Sequence, residues 1–540
     1  MTGTSQNVVT ELILQANNEY RDPFNEIQLY AVFMTPDGKE RRIPGFWGGG
    51  QVWKIRYSSE QIGQHSYTTV CSDPSDSGLH GQTGEFRISP YEGNNPLFRH
   101  GSLRSSANKR YLEHNDGTPF FWLADTWWMG LTKRLEWPDD VKLLTQDRVD
   151  KGFTVVQLVA GLFPDMDPLD DRGANEAGLA WNDDFTCINP AYFDHADNKI
   201  AWLVESGLVP CIVGCWGYYL DYAGKEAITK HWDYLLARYG AYNVVWCVAG
   251  EAVMPFYKHE AHYDLEKREK YIKYIRREWT EVTRYIKDND SFARPVTIHP
   301  TNFGHDMIDE AELLDLDMLQ TGHWGYHEYD NTVEMIRESV RRQPKLPVIN
   351  GEVCYEGSGG TNLEDTQRYL FWTCLLNGAC GHTYGAMGIW QMNARKQLYG
   401  ASPHGLTWGN ALWEDAYRYK GSFQVGIGKK IVEKFRWWEF EPHPEWINHP
   451  GRNNSRPSAA GIPGQTRVVF LPCLGGCVFE GFVILGLEDD VKYRAYHIDP
   501  ETGEEFDLGE VIPGANKDWK SPAPKTFHDW LLVLQRENMS

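Results

Sequence analysis

The chain has 540 residues, too many for one ordinary hydrophobic core, so its length predicts two to four domains. Lys and Arg number 53 against 74 Asp and Glu, a net charge of −21 that excludes nucleic acid and anionic membrane as main partners and suits a neutral ligand. No run of 18 apolar residues predicts a transmembrane span, and Met1-Thr-Gly-Thr-Ser-Gln lacks the basic and apolar regions of a secretory signal, so a cytoplasmic protein is expected.

Residues 10 to 95 alternate with the period of strands. Ile27, Leu29, Ala31 and Phe33 fall on one face, and Trp53, Ile55 and Tyr57 on another, with turn signals at Asp37-Gly38, Gly48-Gly-Gly50 and Ser77-Gly78. This spacing predicts a β-sandwich of seven or eight strands, left through the linker Tyr91-Glu-Gly-Asn-Asn-Pro96.

From about residue 100 the texture changes to apolar runs alternating with helical patterns. Eight strands are predicted, at Phe120–Ala124, Phe153–Val159, Val209–Cys215, Asn243–Ala249, Pro295–His299, Met318–Thr321, Pro347–Asn350 and His382–Gly385. Amphipathic stretches such as Ala191–Ser206, Glu226–Tyr239, Tyr263–Lys287, Asn331–Arg342 and Asn362–Leu376 separate them. Eight βα units predict a (β/α)8 TIM barrel, and no GxGxxG or Walker loop follows the first strand to favour an open doubly wound sheet.

After residue 436 short strands return (Arg467–Leu471, Val478–Leu485, Arg494–Ile498, Trp530–Gln535), predicting a second sandwich. The expected division is an N-terminal Ig-like sandwich over residues 1–98, a barrel over 99–435 and a C-terminal sandwich over 436–540, the sandwiches buttressing the barrel. Most of the 10 cysteines lie in apolar runs and read as small buried residues. Cys473 and Cys477 could meet across a turn, as thiols rather than as a disulfide, and no CxxC pairing points to zinc.

Two glutamates end strand runs of the barrel: Tyr242-Asn-Val-Val-Trp-Cys-Val-Ala-Gly-Glu251 on the fourth and Leu346-Pro-Val-Ile-Asn-Gly-Glu352 on the seventh. Carboxylates at the C-terminal ends of barrel strands point into the mouth, where such folds place their chemistry. Two of them on facing strands are what cleavage of a glycosidic bond needs, one proton donor and one nucleophile or base. Glu352 is read as the nucleophile and Glu251 as the acid/base, which requires a raised pKa at Glu251. The load of 22 Trp suits sugar rings, which match flat apolar faces with polar edges.

Other strand ends and loops supply candidate sugar-binding groups: Asp125 and Trp128, Trp216, His299, His323, Trp324, Tyr326, Tyr384 and Trp390, with His382 beside them. Tyr326 is read as a hydrogen-bond partner holding Glu352 ionised, and Glu356 as the rival nucleophile, its loop position favouring a subsite. The acidic segment from Phe163 to Arg172 lacks EF-hand spacing and is read as a loop over the mouth, so neither metal nor cofactor is expected.

At these residues the chain resembles apiosidase-like glycoside hydrolases, a family first catalogued as a domain of unknown function. Pro23-Phe-Asn-Glu-Ile-Gln-Leu29, Pro44-Gly-Phe-Trp47 and Gly81-Gln-Thr-Gly-Glu-Phe86 are similar to the sandwich that precedes the barrel in many members. Asp116-Gly-Thr-Pro-Phe-Phe-Trp-Leu-Ala-Asp-Thr-Trp127 carries the most specific match, and Tyr496-His-Ile-Asp-Pro-Glu-Thr-Gly503 with Asp529-Trp530 is similar to the C-terminal sandwich. Pro347-Val-Ile-Asn-Gly-Glu-Val-Cys-Tyr-Glu-Gly357 is similar to the family's nucleophile strand, which implies Glu352 in that role. In the related clan of retaining glycosidases an Asn precedes the acid/base; here Gly250 occupies that position.

The resemblance implies an exo-acting, retaining glycosidase working on a carbohydrate, with an apiose- or arabinose-type furanoside as the implied substrate. The rival readings are a carbohydrate-binding protein on a barrel scaffold and a transglycosylase using the same two glutamates. Homo-oligomerisation is left open.

Overall fold

A computed structural model describes residues 3–360, 362–449, 455–473 and 481–537. Cys477, the expected neighbour of Cys473, lies outside them. Eight strands between Thr4 and Ser89 form a five-stranded and a three-stranded sheet. Their inner faces carry the residues picked out by alternation: Leu29, Ala31, Phe33, Trp53, Ile55 and Tyr57 share one core, and Phe33 stacks on Tyr57.

Eight parallel strands then make the central sheet: Trp122–Thr126, Val155–Val159, Val209–Val213, Val245–Cys247, Val296–Thr297, Asp317–Gln320, Val348–Glu352 and Gly381–Tyr384. They pair in sequence order from first to fifth and from sixth to eighth, with the eighth back against the first. The remaining seam is bridged where Asp315 N donates to Val296 O at 2.8 Å and Thr297 Oγ1 donates to Leu316 O at 3.0 Å. The result is a (β/α)8 barrel flanked by β-sandwiches.

Helices Pro190–Glu205, Lys225–Tyr239, Leu265–Asn289, Tyr329–Arg341 and Glu364–Leu376 stand where helical periodicity placed them. Two more, Asp139–Lys151 and Lys420–Val432, follow the first and eighth strands. The fifth unit departs from the expectation of eight βα units. Among the described residues only the short turns Gly304–Met307 and Ala311–Leu313 join its strand to the sixth.

Both sandwiches are fastened to the barrel. Arg56 reaches across to Asp197 and donates to Arg238 O at 2.9 Å, while Ser58 Oγ donates to Ala241 O at 2.6 Å. The central strands of the C-terminal six-stranded sheet, Ser458–Ile462, Thr466–Leu471 and Trp530–Arg536, are buried on both faces over most of their length, as strand alternation permits. Ala460, Val468, Phe470, Leu531 and Val533 join the barrel core, while Ala459, Val469, Leu471, Leu532 and Leu534 fill the sandwich's own core. Arg368 and Asp529 lock this contact through two hydrogen bonds of 2.9 and 2.6 Å. No described helix is long and apolar enough to cross a membrane.

Candidate active site

Glu352 reaches the barrel mouth through a break in strand pairing. Residues two apart on a strand share a face, and the Asn350 amide end lies 3.5 Å from Cys374 Sγ on the covering helix, outside the barrel. Regular pairing would send Glu352 outward as well. Between Leu319 and Gln320 the register with the seventh strand shifts, so that Leu319 pairs with Asn350 but Gln320 with Glu352, leaving Gly351 as the extra residue. Such a bulge re-aims the side chain that follows it. Gly351 is required there, because a Cβ would stand 2.2 Å from Met318 Cγ. Oriented so that both its polar ends are satisfied, the Asn350 amide stitches the bulge, donating to Glu352 O at 3.1 Å and Leu319 O at 3.3 Å.

Once turned inward, Glu352 is clasped. His299 Nε2 stands 2.9 Å from Oε2, and His323 Nε2 stands 3.1 Å from Oε1. Tyr355 stands beside the same carboxylate, its hydroxyl accepting from Trp128 Nε1 at 3.2 Å. Burial alone would raise the Glu352 pKa, but the two imidazoles outweigh it and hold the carboxyl well below the usual carboxylate range. His323 is shifted the opposite way: burial pulls its pKa down, and contact with Glu352 carries it above the ordinary histidine value.

Glu251 leaves the fourth strand with φ +43°, a left-handed conformation that residues with a Cβ seldom adopt. Its Oε2 accepts from Trp216 Nε1 and its Oε1 from Gln320 Nε2, both at 3.2 Å. Gln320 Nε2 also lies 3.5 Å from His323 Nε2, so this pair spans from one carboxylate to the other. The residue keeps an exposed edge, yet its carboxyl is surrounded by protein. Burial, then the negative charge of Glu352, raise its pKa. One carboxyl is pushed up and its neighbour down, the division of labour that acid–base chemistry at neutral pH requires.

Aromatic rings wall this pair. Trp128 packs edge-on against Trp216 and His299, at 5.5 and 5.3 Å between centroids. The Tyr355 ring lies between His323 at 4.9 Å and Trp390, which stacks at 6.2 Å with its Nε1 buried and unpartnered. The acidic loop after the second strand joins the wall: Asp165 Oδ2 accepts from Trp408 Nε1 at 3.1 Å, and Pro164 O accepts from the Tyr399 hydroxyl at 3.2 Å.

Five of the residues proposed for the mouth lie elsewhere. Asp125 is fully buried, with Oδ2 accepting from Arg148 Nε and Trp127 Nε1, both at 2.6 Å; its strand phase points it to the helix layer. Tyr384 faces the same layer and donates to Glu356 Oε2 at 2.5 Å. Glu356 also accepts from Gly421 N at 2.9 Å, so it is a buried link to the last barrel helix rather than a subsite or a rival nucleophile. Tyr326 sits on the surface, donating to Asp365 at 2.9 Å; the tyrosine at Glu352 is Tyr355. His382 packs edge-on against Phe371 behind the eighth strand, its pKa pushed down to about 3 by burial. Trp324, 70% exposed, stands on the outer rim beside His323.

Gln320 and Tyr355 were not singled out from the sequence. Gln320 ends the sixth strand, the same positional signal that exposed Glu251 and Glu352, but an amide is an inconspicuous residue type. Tyr355 lies within the motif around Glu352, and only the fold brings it back beside that side chain.

A family model described as the apiosidase-like catalytic domain matches residues 106–439, which contain both glutamates. The chain belongs to the apiosidase-like family. By that membership the apiosidase-like protein is a glycosidase, and its substrate is a carbohydrate. Residues 5–72 match a second model, described only as a domain of unknown function (DUF5060). Among solved structures, a glycoside hydrolase family 5 protein of Bacteroides vulgatus is 22% identical with a TM-score of 0.66, over 83% of this chain and 95% of that one. A putative glycoside hydrolase of the same organism is 17% identical with a TM-score of 0.68, over 99% and 100%. These likenesses speak for the fold. No curated protein matches the chain.

Proposed function

We propose that this apiosidase-like protein cleaves a terminal glycosidic bond by double displacement with retention of configuration. Ionised Glu352 attacks the anomeric carbon as the bond to the leaving oxygen breaks, and Glu251 delivers its proton to that oxygen. Glu251, now a carboxylate, takes a proton from water as the water attacks the glycosyl–Glu352 ester, and Glu352 is released. The observation that carries this reading is the pairing of two carboxyls in one pocket whose surroundings push them apart, Glu352 clasped by His299 and His323 that lower its pKa while burial and the charge of Glu352 raise that of Glu251. The family's apiosidase-like description points to apiose, so an apiose- or similar arabinose-type furanoside is the proposed substrate, and the wall of Tyr355, Trp390 and the Asp165–Trp408 contact favours attack on a chain end.

The test is release of aryl leaving groups from furanosides and pyranosides by wild type beside Glu352→Gln, with the first-formed anomer followed by proton NMR. Cleavage by wild type alone, with the substrate's configuration in the first product, supports the proposal. Inverted product, or undiminished cleavage by Glu352→Gln, overturns it.

A further inference from the structure

The turn that carries His323 is fastened at three points by side chains that touch no candidate reacting group. Cys354, two residues beyond Glu352, accepts from Gly325 N and donates to Gly322 O, both at 3.3 Å, so its thiol closes the ends of Gly322-His323-Trp324-Gly325. Asn362, buried at the start of the next helical segment, donates from Nδ2 to His323 O at 2.8 Å. Gly322, at the first corner, has φ +108°, a conformation that favours glycine, and the Glu328 side chain packs close against it. Burial pushes the Cys354 thiol up to about 11, so it stays protonated and able to donate at neutral pH.

We infer that Cys354 and Asn362 are positioning residues that hold the His323 imidazole on Glu352 and so keep the nucleophile ionised. The inference rests on the reading of Glu352 as nucleophile. The groups facing the imidazole are Glu352 on the seventh strand, Glu251 on the fourth, Gln320 on its own strand and the Tyr355 ring; His299 meets the same carboxylate from the fifth strand. Of these, only Glu352 is in ion-pair contact with His323, so a small retreat of the turn uncouples the two titrations.

The experiment compares wild type with Cys354→Ala, Cys354→Ser and Asn362→Ala, each checked for folding by circular dichroism. The His323 resonance, assigned with His323→Gln, is titrated by NMR in histidine-labelled protein. Wild-type His323 should titrate above ordinary histidine. Both alanine variants should bring it back toward the ordinary value, while Cys354→Ser, which can still donate and accept, retains the wild-type titration. On a cleaved glycoside the alanine variants should lose about ten- to a hundredfold in kcat/KM, with the acid limb moved to higher pH. An unchanged His323 titration in both folded alanine variants overturns the inference, as does a wild-type His323 that is not raised. If wild type cleaves no glycoside offered, the proposed function fails alone, because the NMR titration still decides the positioning role.

Discussion

The indole of Trp216 lies flat against Gly250, so close that a Cβ on that glycine would stand 2.2 Å from the ring. In the clan of retaining glycosidases that the chain resembles, an Asn stands at the position of Gly250; here the Trp216 indole occupies that volume and donates to the neighbouring Glu251. The glycine is therefore the mate of Trp216 rather than a vacancy. Restoring the amide by Gly250→Asn should displace the indole, cost about 1–3 kcal/mol by overpacking, and lower kcat/KM. Thermal denaturation, tryptophan fluorescence and steady-state kinetics would check this, and a more active Gly250→Asn variant would sink it.

The opposed shifts of the two carboxyls set the pH dependence. In the proposed mechanism Glu352 must be ionised and Glu251 protonated; the Glu352 pKa is held well below the carboxylate range, so its protonation limits kcat/KM only at strongly acidic pH. The Glu251 pKa is raised, so activity falls as pH climbs through that raised value. The profile should be a bell broader than two ordinary carboxylates would give, its acid limb moved to lower pH and its alkaline limb to higher pH, and Glu251→Gln should abolish the alkaline limb. A profile that keeps that limb in Glu251→Gln would assign it to another group.

Leaving groups separate the two glutamates. Proton donation contributes about 10²–10⁴-fold where the departing oxygen is basic. Glu251→Gln should therefore lose that much on an alkyl or sugar leaving group and far less on a nitrophenolate. Glu352→Gln should lose activity on both. Equal losses with both leaving groups in Glu251→Gln would argue against its role as acid.

The bulge at Gly351 predicts an effect on chemistry from a residue that touches no substrate. In Gly351→Ala the new methyl meets Met318 and presses on the register shift that turns Glu352 inward. The variant should fold with a loss of about 1–3 kcal/mol and a kcat depressed more than KM is raised. Paired Gly351→Ala, Met318→Ala should recover part of the rate by opening the space; no recovery would show that the methyl acts elsewhere.

Asp125 should report on stability. Removing its carboxylate leaves Arg148 buried with one partner fewer, at a cost of about 3–5 kcal/mol for breaking such a pair. Asp125→Ala should therefore lower the denaturation midpoint markedly, while the KM of the folded fraction stays at the wild-type value. A selective rise in KM at unchanged stability would return Asp125 to the mouth.

Much of the architecture was legible before any coordinates. Period-two alternation marked the first sandwich and a return of short strands the second, and every predicted barrel strand overlaps an observed one, because buried parallel strands need continuous apolar runs whatever their neighbours are. Both glutamates were visible for the same reason, as polar residues ending such runs. The helices Asp139–Lys151 and Lys420–Val432 escaped notice because their apolar stripes are weak. The second is glycine-rich, with Gly421 and Gly428 packed against Glu356 and Phe371 where a side chain would not fit.

The site was only half legible. Sequence placed Asp125, Tyr384 and Glu356 near the mouth by position along a strand or in the loop after it. Which way a side chain points at a strand end depends on phase, and one extra residue inverts the phase of everything that follows. The bulge sends Glu352 inward and is recorded nowhere in the local pattern of Asn350-Gly351-Glu352. By itself the sequence determined the order of sandwich, barrel and sandwich and which two carboxylates end the fourth and seventh strands, because these follow from residue type and periodicity along one strand. The tertiary structure alone decided that His299, His323 and Tyr355 gather on Glu352, that Trp216 and Gln320 hold Glu251, and that the pKa values of the two carboxyls are pushed in opposite directions. Those contacts join residues brought together by barrel closure, and a pKa is set by what surrounds a group in space.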